Sequence, residues 1–74
     1  MEAEDFVSWK ARATVEYVEL RYRIKALETI MEKRDFPSET PNELLQRQLH
    51  AMKEYRDCIE ERASIEHFYT PEVF

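Results

Sequence analysis

The sequence contains no glycine, one cysteine and three prolines in 74 residues. Without glycine, the chain lacks the residue that tight β-hairpin turns, phosphate-cradling loops and dinucleotide-binding fingerprints require. Cys58 alone cannot form an intrachain disulfide, and a single thiol fits a reducing compartment. These absences exclude disulfide-stapled folds and most β folds, and they predict an all-α chain.

Long apolar runs and excess positive charge are also missing. No apolar run reaches the roughly 18 residues of a transmembrane helix, and the N-terminal MEAEDF lacks the basic and apolar regions of a signal peptide. We therefore expect a cytoplasmic protein with no membrane partner. The net charge of −5 argues against direct nucleic-acid binding, although arginines gathered by oligomer symmetry could still hold a small phosphorylated ligand.

The first half of the chain predicts one long helix, over about residues 5–34, because no proline or glycine interrupts it. One apolar stripe follows steps of three and four residues and predicts packing against a second helix. Its members are Phe6, Trp9, Ala13, Tyr17, Leu20, Ile24, Leu27 and Met31. A second stripe comprises Val7, Ala11, Val15, Val18 and Tyr22. One partner helix cannot cover both stripes, so the second predicts a homo-oligomer contact or, alternatively, a face covered by the C-terminal tail.

A loop over 35–40 and a second helix over about 41–66 complete the predicted hairpin within a single domain, 1–74. Thr40 is the expected N-cap, with Pro41 at the first helical position and Glu43 completing a capping box. So short a loop makes the helices antiparallel neighbours. In the tail, 67–74, the aromatic residues are expected to fold back on Phe6 and Trp9. They are Phe68, Tyr69 and Phe74.

The second helix carries an apolar face with polar residues along its margin. The apolar face consists of Leu45, Leu49, Met52, Ile59 and Ala63. Gln48, Tyr55 and Arg62 recur every seventh residue beside it. Such a row is typical of the polar flank of a coiled-coil seam, and it also suits a row of side chains that face a ligand.

Catalytic constellations are absent from the pattern. Cys58 and His50 lie about 12 Å apart by helical rise, and His50 and His67 do not have zinc-site spacing. We expect Cys58 to be a buried or half-buried structural residue. The sequence predicts no enzyme, with no catalytic residue, no cofactor and no metal site.

Candidate ligand-binding residues are polar side chains beside the seam. The predicted site consists of Tyr17, Arg23, Gln48, Tyr55 and Arg62, and Lys25 and Arg56 belong to the same margin. Arginine offers a fork of donors to phosphate, tyrosine a face to a base, and glutamine a polar contact to a base edge. Alternatively, the two tyrosines are interface aromatics with rim hydroxyls, and Gln48 is a buried polar residue that fixes register.

The stretch EYVELRYRIKALETIMEKRDF, followed after a short loop by LLQRQLHAMKEYRDCIEERASI, resembles a family of small bacteriophage proteins related to a crAss-like phage protein. The matching positions are Glu16, Leu20, Arg23, Ile24, Leu27, Phe36, Leu44, Leu45, Gln48, Leu49, Met52, Tyr55, Ile59 and Arg62. The resemblance implies a phage origin and no settled activity. In size, hairpin architecture and expected oligomerisation, the chain is similar to phage anti-defence proteins that sequester the nucleotide messengers of CBASS or Thoeris immunity.

Three functional hypotheses follow, of which the last is a structural phage bundle with no ligand. In the first, a homo-oligomer binds a nucleotide-derived immune signal between protomers: Arg23 and Arg62 hold phosphates, Tyr17 and Tyr55 border the base, and Gln48 makes a polar contact. In the second, the acidic hairpin is an inhibitor or adaptor that docks on a host protein through exposed acids such as Glu60 and Glu61. The first predicts binding of a small molecule, and the second predicts a salt-sensitive protein complex.

Overall fold

The protein is an α-helical hairpin in a computed structural model that describes the backbone of residues 2–33 and 39–72 and the side chains of residues 9–33 and 39–72. Helix α1 spans Glu2–Lys33 and helix α2 spans Asn42–Glu66. Trp9, near the start of α1, contacts Phe68, which follows the end of α2. Glu28, in the last turns of α1, contacts Lys53 in the first half of α2. The helices are therefore antiparallel, which confirms the all-α hairpin. The side chain of Phe6 and the whole of Phe74, for which the sequence predicts contacts between α1 and the tail, lie outside the described part of the chain.

The core is a thin strip between the two helices. Its buried apolar residues, among those described, are Tyr17, Leu20, Ile24, Ile59 and Ala63. Leu49, Met52 and Phe68 are partly buried against this cluster. The molecule measures 48 × 20 × 18 Å, so most side chains lie near the surface. With so small a core, each of the buried side chains is expected to contribute a large share of the stability.

The second stripe of α1 is not covered by α2. Val15 and Tyr22 are each 55% exposed, and Ala11 is also exposed. The tail crosses α1 at one point, where the Thr14 hydroxyl donates a 2.6 Å hydrogen bond to the Tyr69 carbonyl. The tail therefore does not cover Val15 or Tyr22, and of the described members of this stripe only Val18 is half-buried.

Helix α2 begins one residue later than predicted, and the assignment of Thr40 as its N-cap is wrong. Pro41 occupies the N-cap position with φ −58° and ψ 142°, and no side chain caps the helix. The extended ψ of Pro41 turns its carbonyl into the helix, where it accepts hydrogen bonds from the amides of Leu44 at 3.0 Å and Leu45 at 3.2 Å. Thr40 therefore precedes the cap, one residue too early for the predicted capping box.

Helix α2 ends through a left-handed residue. His67 has φ 60° and ψ 58°, and its amide donates a 2.8 Å hydrogen bond to the Ala63 carbonyl. Glycine usually takes this position, but the chain has none, and histidine is among the residues that adopt this conformation more readily than most. The reversal brings Phe68 to Trp9, with ring centroids 6.1 Å apart in an edge-on arrangement. This contact confirms the predicted return of the tail for Phe68. For Tyr69 the prediction is wrong, because its side chain is 71% exposed and only its carbonyl contacts α1.

Candidate functional site

One face of α2 points away from the core and carries three of the predicted ligand-binding residues. We call this face the outer row of α2; it consists of Leu44, Gln48, Ala51, Tyr55, Cys58, Arg62 and Ile65, all of them exposed. Its members alternate between three and four residues apart, so they form one continuous strip along the helix. Large apolar side chains stand at its ends, where Ile65 is 75% exposed and Leu44 is 47% exposed.

Gln48 and Cys58 lie in this row and not in the core. Gln48 borders a wide, shallow depression on the first turns of α2, with a volume of about 740 Å³. Cys58 is a free, exposed cysteine, so the expectation that it is buried or half-buried is wrong. Successive residues of a helix are rotated by about 100° around its axis. Cys58 therefore points away from the seam in which its neighbour Ile59 is buried.

Arg62 connects the outer row to the aromatic contact near the hairpin end. Its guanidinium carbon lies 6.0 Å from the centre of the Trp9 ring, within the range of a cation–π interaction. It also donates a 3.4 Å hydrogen bond to Glu66, one turn further on. Arg62 and Trp9 thus form a stacked pair of a cation and an indole at the surface, a pairing that can accept a further planar or anionic group.

Tyr17 lies in the core, where it organises two charged neighbours. Its ring is 3% exposed. Its hydroxyl donates a 2.6 Å hydrogen bond to Glu60 Oε2 and accepts one of 3.1 Å from Arg21 Nη1. Burial, and next the hydrogen bond to Glu60, raise the pKa of Tyr17 above its ordinary value of about 10, and the charge of Arg21 opposes this rise. In this arrangement the ring presents no face to a ligand.

Arg23 lies on the surface of α1. Its side chain is 70% exposed and forms an ion pair of 3.7 Å with Glu19, four residues earlier. An acid four residues before a base is the favoured order for an ion pair along a helix. The described contacts do not bring Arg23 together with Gln48, Tyr55 or Arg62.

A second feature lies between the helices, in a small cleft of about 150 Å³. It is lined by Arg21, Ile24, Lys25, Glu28 and Arg56, and we call it the interhelical cleft. The sequence pattern singled out Lys25 and Arg56 but missed Arg21, and it named Glu60 only as an exposed acid and not as the partner of Arg21. The available signal was spacing: Arg21 follows the seam residue Tyr17 by one helical turn, so a buried tyrosine hydroxyl would be within reach of its side chain.

The described part of the chain contains no cluster of metal ligands and no membrane-spanning helix. Across residues 2–33 and 39–72, no three histidine, cysteine or acidic side chains are grouped to hold a metal ion. Neither described helix has a stretch long and apolar enough to cross a membrane.

Comparison with known proteins identifies one family. A family model described as Sequestin matches residues 8–65, which include most of α1 and nearly all of α2. No curated protein and no solved structure matches the chain. The family name suggests ligand sequestration, a role without catalysis. Because the match extends over most of the 74 residues, the chain belongs to the Sequestin family.

Proposed function

We propose that this protein is a phage counter-defence protein that binds and sequesters a nucleotide-derived immune signal, a cyclic oligonucleotide or an ADP-ribose derivative, between the protomers of a homo-oligomer. The observation that carries the proposal is the Sequestin match over residues 8–65. A protein that sequesters needs a binding surface and no catalytic machinery. It would act in the cytoplasm of the infected cell, where such signals are made.

Self-association is supported by the apolar surface that the hairpin leaves open. Tyr22 and Val15 on α1 and Ile65 and Leu44 on α2 are all exposed. A single core in a domain of this size supplies only about 3–5 kcal/mol of stability, so pairing of these faces would stabilise the fold. In a helical bundle of several protomers, each polar side chain would also occur in several copies and lie between protomers.

The outer row of α2 supplies the ligand contacts in this proposal. Tyr55 is 48% exposed and offers a ring face for a nucleobase. Arg62, stacked near Trp9, would hold a phosphate beside that base, and Gln48 would bond a base edge. Arg23 would approach a phosphate from α1. Tyr17 acts indirectly in this arrangement, by orienting Arg21 and Glu60 from the core.

A thermal-shift screen with native mass spectrometry on the same sample tests the proposal. The panel contains cyclic di- and trinucleotides, ADP-ribose and its cyclised and conjugated forms. We expect one compound to raise Tm by several degrees and to bind at a fixed fraction of the protomer count, because a ligand that binds the folded state alone stabilises it by mass action. The variant Arg62→Gln should weaken this binding.

Lys33→Gln is the control, since it removes one exposed charge at the end of α1, at the opposite end of the hairpin from Arg62. It should leave the shift unchanged. An intact oligomer that carries no co-purified ligand and responds to no compound of the panel would reject the proposal in favour of the protein-docking hypothesis. Equal binding by the Arg62→Gln variant and wild type would remove Arg62 from the site.

A further inference from the structure

The interhelical cleft gathers three cations from two helices around an apolar floor. Arg21 and Lys25 project from successive turns of α1, and Arg56 comes from α2. Ile24, which is 5% exposed, closes the base of the cleft. Guanidinium and ammonium groups converging on a partly desolvated site are the usual chemistry for binding phosphate.

Both arginines of the cleft are fixed in place before any ligand arrives. The Arg21 side chain is 20% exposed; its Nη1 donates a 3.1 Å hydrogen bond to the Tyr17 hydroxyl and lies 3.8 Å from Glu60 Oε2. The Arg56 side chain is 25% exposed, and its Nε and Nη2 each donate a 3.1 Å hydrogen bond to Asp57 Oδ1. A guanidinium carries more N–H donors than these bonds use, so donors remain for an anion.

The carboxylates near the cleft already have partners, and two of them pair with its arginines, Glu60 with Arg21 and Asp57 with Arg56. Glu28 forms a 3.0 Å ion pair with Lys53 of α2. Glu60 accepts the short 2.6 Å bond from Tyr17. The ammonium of Lys25, in contrast, has no ion-pair partner within residues 9–33 and 39–72. The cleft therefore retains one uncompensated cation beside two oriented guanidinium groups.

The two arginines of the predicted site are more exposed than the two arginines of the cleft. Arg23 and Arg62 have side chains that are 70% and 56% exposed, and each forms an ion pair with a carboxylate of its own helix, four residues away. Side chains exposed to this extent lose more rotamer freedom when they bind, and their charges are more strongly screened. Arg21 and Arg56 start from a more ordered position.

We propose that the interhelical cleft is a phosphate-binding subsite formed by Arg21, Lys25 and Arg56. Its volume of about 150 Å³ is below the roughly 300–1,000 Å³ of a complete small-molecule pocket, so it takes one phosphate group and leaves the rest of the ligand outside. The identity of that ligand rests on the function proposed above; the anion site itself does not.

Titration of the full-length protein with inorganic phosphate, followed by amide chemical shifts in ¹H–¹⁵N NMR spectra, tests the subsite. The reference titration uses sodium chloride at the same ionic strength. We expect saturable shifts at Arg21, Lys25 and Arg56 that chloride does not produce. The variants Lys25→Gln and Arg56→Gln should each weaken phosphate binding about tenfold, the effect of losing one charge-assisted hydrogen bond.

Lys33→Gln again serves as the control, because it removes the same charge from an exposed position near the end of α1. It should bind phosphate as wild type does. Linear shifts spread over all basic residues, or equal affinity in wild type, Lys25→Gln and Arg56→Gln, would overturn the subsite. Retained native spectra in each variant establish that a lost affinity is not a lost fold.

The same variants separate the subsite from the proposed function. If a compound of the nucleotide panel stabilises wild type but inorganic phosphate gives no saturable shifts in the cleft, sequestration stands and the subsite is wrong. If phosphate saturates the cleft but no panel compound binds, the subsite stands and the nucleotide hypothesis fails.

Discussion

The outer row of α2 and the interhelical cleft present polar groups in opposite ways. Tyr55 belongs to the row and Arg56 to the cleft, and adjacent residues of a helix point about 100° apart. The row is built from one helix, and its side chains are exposed. The cleft takes side chains from both helices, and contacts with Tyr17 and Glu60 hold its Arg21 in place. The row thus offers surface for a planar partner, and the cleft offers oriented charge.

The largest expected effect concerns the core that both regions share. Ile59 is 3% exposed between the helices, and Ile59→Ala should lower the free energy of unfolding by about 2–5 kcal/mol. Since a single core of this size supplies about 3–5 kcal/mol, we expect circular dichroism to show a largely unfolded chain. Ile65→Ala makes the same chemical change in the outer row and should leave the helical signal near that of wild type. Similar helix loss in both variants would contradict the division between core and row.

A charge in the outer row should break self-association and leave the hairpin folded. Ile65→Asp places a carboxylate in the apolar contact proposed for the end of the outer row, where burying an unpaired charge is costly. Sedimentation equilibrium should then show a smaller species than wild type. Ser64→Asp adds the same charge one residue away, at an exposed position outside the row, and should leave the mass unchanged. Equal masses for wild type and Ile65→Asp would mean that the row is not an interface.

Two tyrosine substitutions sharpen the comparison between the cleft and the row. Tyr17→Phe removes a hydroxyl bonded to Glu60 and Arg21, so we expect a loss of about 0.5–1.5 kcal/mol in urea denaturation. Tyr55→Phe removes a hydroxyl from a half-exposed ring in the outer row and should change stability by less than about 0.5 kcal/mol. A greater loss in Tyr55→Phe would show that the row hydroxyl is bonded across an interface.

The raised pKa of Tyr17 predicts sensitivity to alkaline pH. The unfolded chain ionises this phenol near pH 10, whereas the folded chain keeps it neutral to a higher pH because of burial and the bond to Glu60. Its contribution to stability is therefore complete below about pH 10 and is lost as the pH rises through the folded pKa. Thermal melts between pH 8 and about pH 11 should show a steeper alkaline decline in wild type than in Tyr17→Phe. Parallel declines would contradict the coupling.

The smallest effect is expected at the exposed ion pair of α1. Arg23→Gln breaks the 3.7 Å contact with Glu19, and pairs this exposed contribute only about 0.2–1 kcal/mol. Urea denaturation at low and high salt should show a slight loss that salt removes. A loss of several kcal/mol would indicate that Arg23 has a partner in the oligomer.

The two helices could be predicted from the sequence, because the spacing of apolar residues along each helix and the proline before the second helix are visible within short stretches of the chain. The stripe containing Tyr17, Leu20 and Ile24 is the observed core. The N-cap at Pro41 could not be predicted from the Thr40–Glu43 spacing, since it depends on the ψ angle that the chain adopts at Pro41.

The cleft was harder to predict than the row. A row such as Gln48, Tyr55 and Arg62 is visible as a heptad spacing, whereas the cleft depends on which residues of one helix face the other. The bond from Tyr17 to Glu60 joins positions far apart in sequence. The pattern placed Tyr17 in the packing stripe and also among the ligand-binding residues. Its burial follows from the pairing of the two helices, which the pattern of a single helix does not specify.

Sequestration, as the central claim, requires that a ligand be withdrawn from solution and remain chemically intact. The direct measurement mixes the protein with each compound of the nucleotide panel, separates the free compound by ultrafiltration, and recovers the bound fraction by heat denaturation for mass spectrometry. We predict that one compound is depleted in a fixed ratio to protomers and is recovered with unchanged mass. Recovery of an altered mass would reveal an enzyme, and the absence of depletion for every compound would contradict nucleotide sequestration.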